Sequence, residues 1–148
     1  MKTISKLATL AISTIWLALP FLAHASFIDV PSSHPYYESI TALEKKGLIK
    51  GFEQKKFLPD NPITKAELIK IVFADVGYQP KNDQNVTTKF KDVPSDSWFA
   101  PYAQKGLDTG VLSIDPEKPF FHPGEPITKL DGLKIILPLE GVPTPYKT

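Results

Sequence analysis

Two lysines, set at equivalent points of a repeated phrase, are the residues best placed to do chemistry. Pro62-Ile63-Thr64-Lys65-Ala66-Glu67 returns as Pro126-Ile127-Thr128-Lys129-Leu130-Asp131. Thr64 with Glu67 three residues on is a capping box: the hydroxyl accepts from the N–H of Glu67, and the carboxylate reaches back to the N–H of Thr64. Ile63 and Leu68 stand where a hydrophobic staple closes. Each phrase therefore predicts a helix start, and each puts a cation in the first turn, where the helix dipole opposes it. A lysine beside free N–H donors is suited to hold an anion; the plainer alternative at both positions is a solvated surface lysine. Little else points to chemistry. The acids are scattered through caps and solvent faces, with no Ser-His-Asp order, metal-ligand spacing or phosphate loop, so the pattern argues against an enzyme and implies no cofactor. His34 and His122 each sit next to a proline in a loop.

An internal repeat positions the lysines. Phe27-Ile28-Asp29-Val30-Pro31-Ser32 recurs as Phe90-Lys91-Asp92-Val93-Pro94-Ser95, an offset of 63 residues, and Gly47-Leu48-Ile49 falls on Gly110-Val111-Leu112. From Phe57 and Phe121 onward the offset is 64, so the second copy carries one extra loop residue. Each copy reads as helix, loop, helix. Tyr36, Ile40 and Leu43 lie at helical spacing, with Pro35 suited to the first turn and Gly47 as the stop. The second helix starts at Thr64, with Leu68, Ile71 and Val72 on one face. In the second copy Trp98, Phe99 and Tyr102 open a helix that Gly110 ends, and Gly106 inside it predicts a weaker helix. Leu130, Leu133, Ile136 and Leu137 form the apolar face of the last helix, and Pro138 is its expected stop. Residues 79–89 are polar and read as a linker, and 143–148 as a tail. The Asn85-Val86-Thr87 sequon is too short a match to decide anything. The expected fold is mainly α, tandem helix–loop–helix units packed as a small helical bundle.

The first residues form an address. Lys2 and Lys6 precede an apolar run over residues 7–22, and Ala23-His24-Ala25 is a small-x-small cleavage site, so residues 1–25 read as a secretory signal peptide. The run is short for a membrane span. Cleavage would leave 123 residues from Ser26, with 15 lysines, no arginine and 16 acids. That net charge of −1 gives no sign of a nucleic-acid partner. Cysteine is absent, which excludes disulfides and thiolate metal sites.

Taken together, the two copies resemble the S-layer homology (SLH) domain. That repeat runs Phe-x-Asp-Val, a Trp-Ala pair, a Gly-Ile/Leu-x-x-Gly turn, Phe-x-Pro and an Ile-Thr-Arg-Ala-Glu box. Here the first copy supplies Phe27-Ile28-Asp29-Val30, Gly47-Leu48-Ile49-Lys50-Gly51, Phe57-Leu58-Pro59 and Ile63-Thr64-Lys65-Ala66-Glu67. The second supplies Phe90-Lys91-Asp92-Val93, Trp98, Gly110-Val111-Leu112, Phe121-His122-Pro123 and Ile127-Thr128-Lys129-Leu130-Asp131. The resemblance divides the chain into a first repeat over 26–78 and a second over 90–142. It implies an exported, non-catalytic anchor at the bacterial cell surface, cell wall or periplasm. Its expected ligand is a secondary cell-wall polymer or peptidoglycan-linked glycan of anionic character. The binding role falls on Lys65 and Lys129, with Trp98, Asp29, Asp92, Gly51 and Glu67 beside them. Lysine replaces arginine in both boxes, giving a point charge in place of a bidentate fork. Pro35 stands where the first tryptophan is expected, and Ile114 where the second turn glycine is.

The residues themselves leave other roles open. Trp98 serves equally as core or as a sugar platform, and Asp29 and Asp92 as local caps. Two helix–loop–helix units should also leave an open apolar edge. That edge predicts self-association or pairing with another SLH-bearing chain, and it allows a scaffold that binds protein partners without glycan affinity.

Overall fold

The structure, a computed structural model, describes residues 27–81 and 85–142. The leader read in residues 1–25 and the tail 143–148 lie outside the described residues. Four helices form where the apolar periodicity places them: α1 (Tyr37–Lys45), α2 (Lys65–Asp75), α3 (Ala100–Asp108) and α4 (Lys129–Leu139), with a short 3-10 turn at Glu53–Lys55. Among the described residues, strand-like pairing is confined to two isolated bridges, Phe52 with Lys56 and Thr64 with Pro126. The fold is thus a small helical bundle.

Gly47 ends α1 as expected: at φ 73° it lets the N–H of Leu48 fold back onto the carbonyl of Leu43 at 3.0 Å. The helix start differs from expectation. Pro35 lies in the turn before α1, where Tyr37 N–H bonds to the carbonyl of His34 at 2.9 Å, and Tyr36 is 67% exposed. Ile40 and Thr41 are the buried positions of α1. Trp98 and Phe99 likewise precede α3, which takes Pro101 in its first turn.

The helices do not pair within their own half of the chain. α2 packs against α3 and α4, whereas α1 packs on no other helix among the described residues. The main core joins Ala66, Ile69 and Phe73 of α2 to Phe90, Val93, Ala100, Tyr102, Ala103 and Phe121 of the second half. A smaller cluster holds Phe27, Val30 and Ile40, with Tyr37, Ile49 and Phe57 against it. Burial of a large apolar side chain contributes about 1.5–3 kcal/mol, so the stability is concentrated at the junction of the halves. The Lys46–Asp75 ion pair (3.0 Å) links the residue after α1 to the end of α2, but its exposure makes it worth about 0–1 kcal/mol. After α2, Gly77 turns the chain at φ 83°, and Tyr78 meets Phe73 and Tyr102 edge-on at 5.9 and 5.8 Å. The linker is anchored too, with Val86 N–H on the carbonyl of Ser95 at 2.8 Å.

Gly106 is crowded by Leu112 and by Ile69 of α2. A Cβ there would lie 2.7 Å from Leu112 Cγ and 3.0 Å from Ile69 Cδ1, so the glycine makes room for a neighbouring helix. Gly106→Ala should therefore destabilise: overpacking costs about 1–3 kcal/mol, against about 1 kcal/mol regained in helix propensity. Urea denaturation of the two proteins measures the balance, and a net stabilisation would contradict the close approach.

α4 departs most from its sequence reading. Its buried residues are Gly132 and Ile135, while Leu130 and Leu133 are 58% and 39% exposed. Leu68 of α2 faces Gly132, 3.3 Å from where its Cβ would stand, and Ile63 is left at the surface instead of closing a tight staple. Pro138 does not stop α4 but lies in its last turn, and the helix ends at Leu139. So close to the end, the loss of one N–H donor is tolerated.

Candidate functional site

The α2 capping box forms in full. Thr64 Oγ1 accepts from Glu67 N–H at 3.3 Å, and Glu67 Oε2 accepts from Thr64 N–H at 2.9 Å. Glu67 is therefore occupied in holding the helix start. At α4 the box is only half made. Thr128 Oγ1 accepts from Asp131 N–H at 3.1 Å and donates to Asp131 Oδ2 at 2.7 Å, because aspartate is a methylene too short to reach the Thr128 N–H.

The expectation of free N–H donors beside Lys65 is overturned. Lys65 N–H donates to the carbonyl of Glu125 at 3.0 Å and Ala66 N–H to that of Pro123 at 3.1 Å. The loop before α4 thus occupies the start of α2, and Ile127 N–H closes the contact on the Ile63 carbonyl at 3.0 Å. An anion near Lys65 must be met by the side chain. At α4 the N–H groups of Lys129 and Leu130 have no acceptor among the described residues, and Lys129 is exposed.

Asp29 and Asp92 do the same job in the two halves. Asp29 accepts Phe57 N–H and Leu58 N–H, each at 2.8 Å, and Asp92 accepts Phe121 N–H and His122 N–H, each at 2.7 Å. Each carboxylate pins a loop whose second residue is left-handed, Leu58 at φ 59° and His122 at φ 57°. The N–H of Phe57 above all holds the Asp29 carboxyl below its ordinary value. Gly51, at φ 67°, is also structural in its surroundings: a Cβ there would collide with the Phe27 ring and the Lys56 carbonyl. No hydrogen bond, ion pair or ring contact among the described residues joins Asp29 or Gly51 to Lys65 or Trp98.

Lys65 and Trp98, by contrast, lie along one row of rings between α2 and the segment leading into α3. Lys65 Nζ lies 5.6 Å from the centre of the Phe121 ring, and Lys70 Nζ 5.4 Å from that of Trp98. Trp98 meets Phe99 edge-on at 5.4 Å, and Phe99 stacks on Phe121 at 6.3 Å, so the rings form a continuous row. Trp98 is 53% exposed, which places it at the surface and not in the core. Asp131 closes one side. The Thr128 hydroxyl, then Lys134 at 3.0 Å, hold its carboxyl below the ordinary range, with Lys65 adding to the effect. One ammonium group over the exposed indole and a second over the buried Phe121 ring can meet an acidic sugar, the cations taking its carboxylate and the indole its C–H face. Lys70 was missed in the sequence, although its recurrence as Lys134, at the offset of 64, was a readable signal.

Residues 26–69 match the family model of the S-layer homology domain. That stretch carries the Asp29 clamp, Gly51 and the α2 capping box with Lys65. The chain is also 31% identical over 99 residues to a cell surface protein of Thermoanaerobacter kivui, covering 66% of this chain and 13% of that protein. Over 134 residues it is 28% identical to the surface-layer 125 kDa protein of Lysinibacillus sphaericus, covering 88% of this chain and 11% of the relative. The chain therefore spans only a small part of either relative's length. No helix of the described residues is long and apolar enough to cross a membrane, and no cluster of three or more metal-ligating side chains occurs among them.

Proposed function

We propose that this chain is a non-catalytic anchoring module of a bacterial cell envelope, exported by a leader at residues 1–25, with residues 90–142 acting as a second SLH repeat. Its ligand is an anionic cell-wall polysaccharide or peptidoglycan-linked glycan, bound at Lys65, Lys70 and Trp98. The single observation carrying this reading is the pair of ammonium groups along the Trp98–Phe99–Phe121 row, which opens to solvent at Trp98. The family match over residues 26–69 and the surface proteins among the relatives support it. Lys129 stands at the equivalent point of the second half and belongs to a second, less complete site. A scaffold that binds protein partners without glycan affinity is the competing reading, favoured by the exposed leucines of α4.

Co-sedimentation with purified cell-wall sacculi, with and without the attached polymer, separates the two. Binding should require the polymer and weaken with salt, because the ammonium groups are partly exposed. Lys65→Gln and Lys70→Gln should each weaken it roughly tenfold, the loss of one charge-assisted contact being worth about 1.5–3 kcal/mol. Trp98→Ala should weaken it similarly. Lys129→Gln should have a smaller effect alone and nearly abolish binding with Lys65→Gln. Unchanged affinity in the Lys65/Lys70 double variant, with its melting temperature preserved, would reject this row as the site.

A further inference from the structure

We infer that the chain assembles head-to-tail with a second copy of itself, α4 of one copy docking on α1 and the 57–61 loop of the next. The internal contact is the template. α2 lies on α3, and its first two N–H groups bond to the carbonyls of Pro123 and Glu125 in the loop before α4. Every part of that contact has an equivalent that is left without the matching partner among the described residues. α4 is the counterpart of α2, and its Lys129 and Leu130 N–H groups have no acceptor among the described residues. Pro59 and Asn61 are the counterparts of Pro123 and Glu125, and their carbonyls accept no N–H among the described residues. α1 is the counterpart of α3 and packs on no helix among the described residues.

The apolar surfaces follow the same rule. Ala66 and Ile69 of α2 are 3% and 0% exposed, whereas Leu130 and Leu133 at the equivalent points of α4 are 58% and 39% exposed. Tyr78 folds onto Tyr102, while its counterpart Val142 is 44% exposed. Phe121, beneath Lys65, is 1% exposed, and its counterpart Phe57 is only half-buried. One chain thus carries both a donor end, α4, and a receiving end in its first half. These two faces differ, so they pair with a second copy in a heterologous contact that closes into a ring or continues as a strand. Leu43 stands where Gly106 admits Ile69, so the contact between copies is less close than the internal one. The docking also completes a second site: Lys129 and Lys134 of one copy come to the positions over Phe57 and Pro35 of the next that Lys65 and Lys70 hold over Phe121 and Trp98. The inference rests on the equivalence of the two halves and not on glycan affinity, so either can fail alone.

Analytical ultracentrifugation of the whole chain and two end-blocked variants tests it. The wild type should grow in mass with concentration. Leu130→Glu with Leu133→Glu blocks the donor end, and Ser39→Glu with Leu43→Glu blocks the receiving end. Each double variant alone should be monomeric, with association weakened roughly 100-fold as charge replaces apolar contact. Mixed in equal amounts, they should form a dimer of one copy each, since one intact donor end and one intact receiving end remain. Circular dichroism confirms that each is folded. If Leu43→Glu prevents folding, Ser39→Glu alone serves as the receiving block. A wild type that stays monomeric to near-millimolar concentration overturns the inference. So do folded variants that still associate alone, which points to contact elsewhere, and folded variants that fail to pair when mixed, which points to a symmetric contact.

Discussion

Asp92→Ala should destabilise the chain by about 2–4 kcal/mol, a larger loss than any surface substitution. The carboxylate accepts from both Phe121 N–H and His122 N–H at 2.7 Å, and a bond to a charged group is worth about 1.5–3 kcal/mol. Alanine removes both at once. The loop is bent by a left-handed His122, a conformation an L residue adopts only where its surroundings impose it. It also carries Phe121, 1% exposed in the main core, so slackening the loop loosens the ring. Asp92→Asn keeps one acceptor oxygen and should lose about half as much. In thermal melts the alanine variant should fall by roughly 8–16 °C, given about 4 °C per kcal/mol at this size. A change of under roughly 2 °C would mean that water replaces the clamp at little cost.

The matching clamp in the first half adds a pH signature. Asp29 has its carboxyl held below the ordinary 3.8, first by the Phe57 N–H and then by Leu58. A depressed carboxyl contributes stability that is present above the ordinary value and lost as pH falls through the folded one. The wild type should therefore lose stability below pH 3.8, and Asp29→Asn should flatten that decline. An unaltered acid profile in the variant would place the acid sensitivity elsewhere.

What could be read in the sequence was what is local. The Thr64–Glu67 box, the stop at Gly47 and the order of helices depend on residues within a turn of one another, and they form as read. The clamps span 28 to 30 residues and end on backbone N–H groups, which carry no sequence signal, so Asp29 and Asp92 could only be read as caps or ligand groups. The same limit hid the occupied start of α2: Lys65 and Ala66 give their N–H groups to carbonyls of a loop that follows by about sixty residues. Crossed pairing of the halves was less hidden than it looked. Where α2 and α3 meet, one helix offers Ala66 and the other Gly106; the equivalent positions elsewhere are Leu130 and Leu43. Small residues mark the places where a neighbouring element approaches closely, Gly106 before Ile69 and Gly132 before Leu68. Trp98 could not be settled as core or surface by its type, because the lysine above it comes from α2.

Phe73→Ala is the sharper test of that crossed pairing. Phe73 is 1% exposed, meets Tyr78 edge-on at 5.9 Å and belongs to the cluster that joins α2 to the second half. Truncating a buried phenylalanine costs about 3–5 kcal/mol, the lost transfer energy plus the cavity left behind. The cost here should reach the upper part of that range, since the cavity would open beside Tyr78, whose ring meets that of Tyr102 edge-on at 5.8 Å. Leu137 is the same position of α4, but half-buried and outside that cluster, so Leu137→Ala should cost about 1 kcal/mol. Both must be measured by denaturation at low protein concentration, because association would stabilise the folded chain and mask the difference. If α2 instead packed within its own half, the two helices would be equivalent, and the two truncations would differ only by the size of the side chains removed, about 1 kcal/mol. A large gap requires that α2 is covered by the other half of the chain to an extent that its counterpart α4 is not.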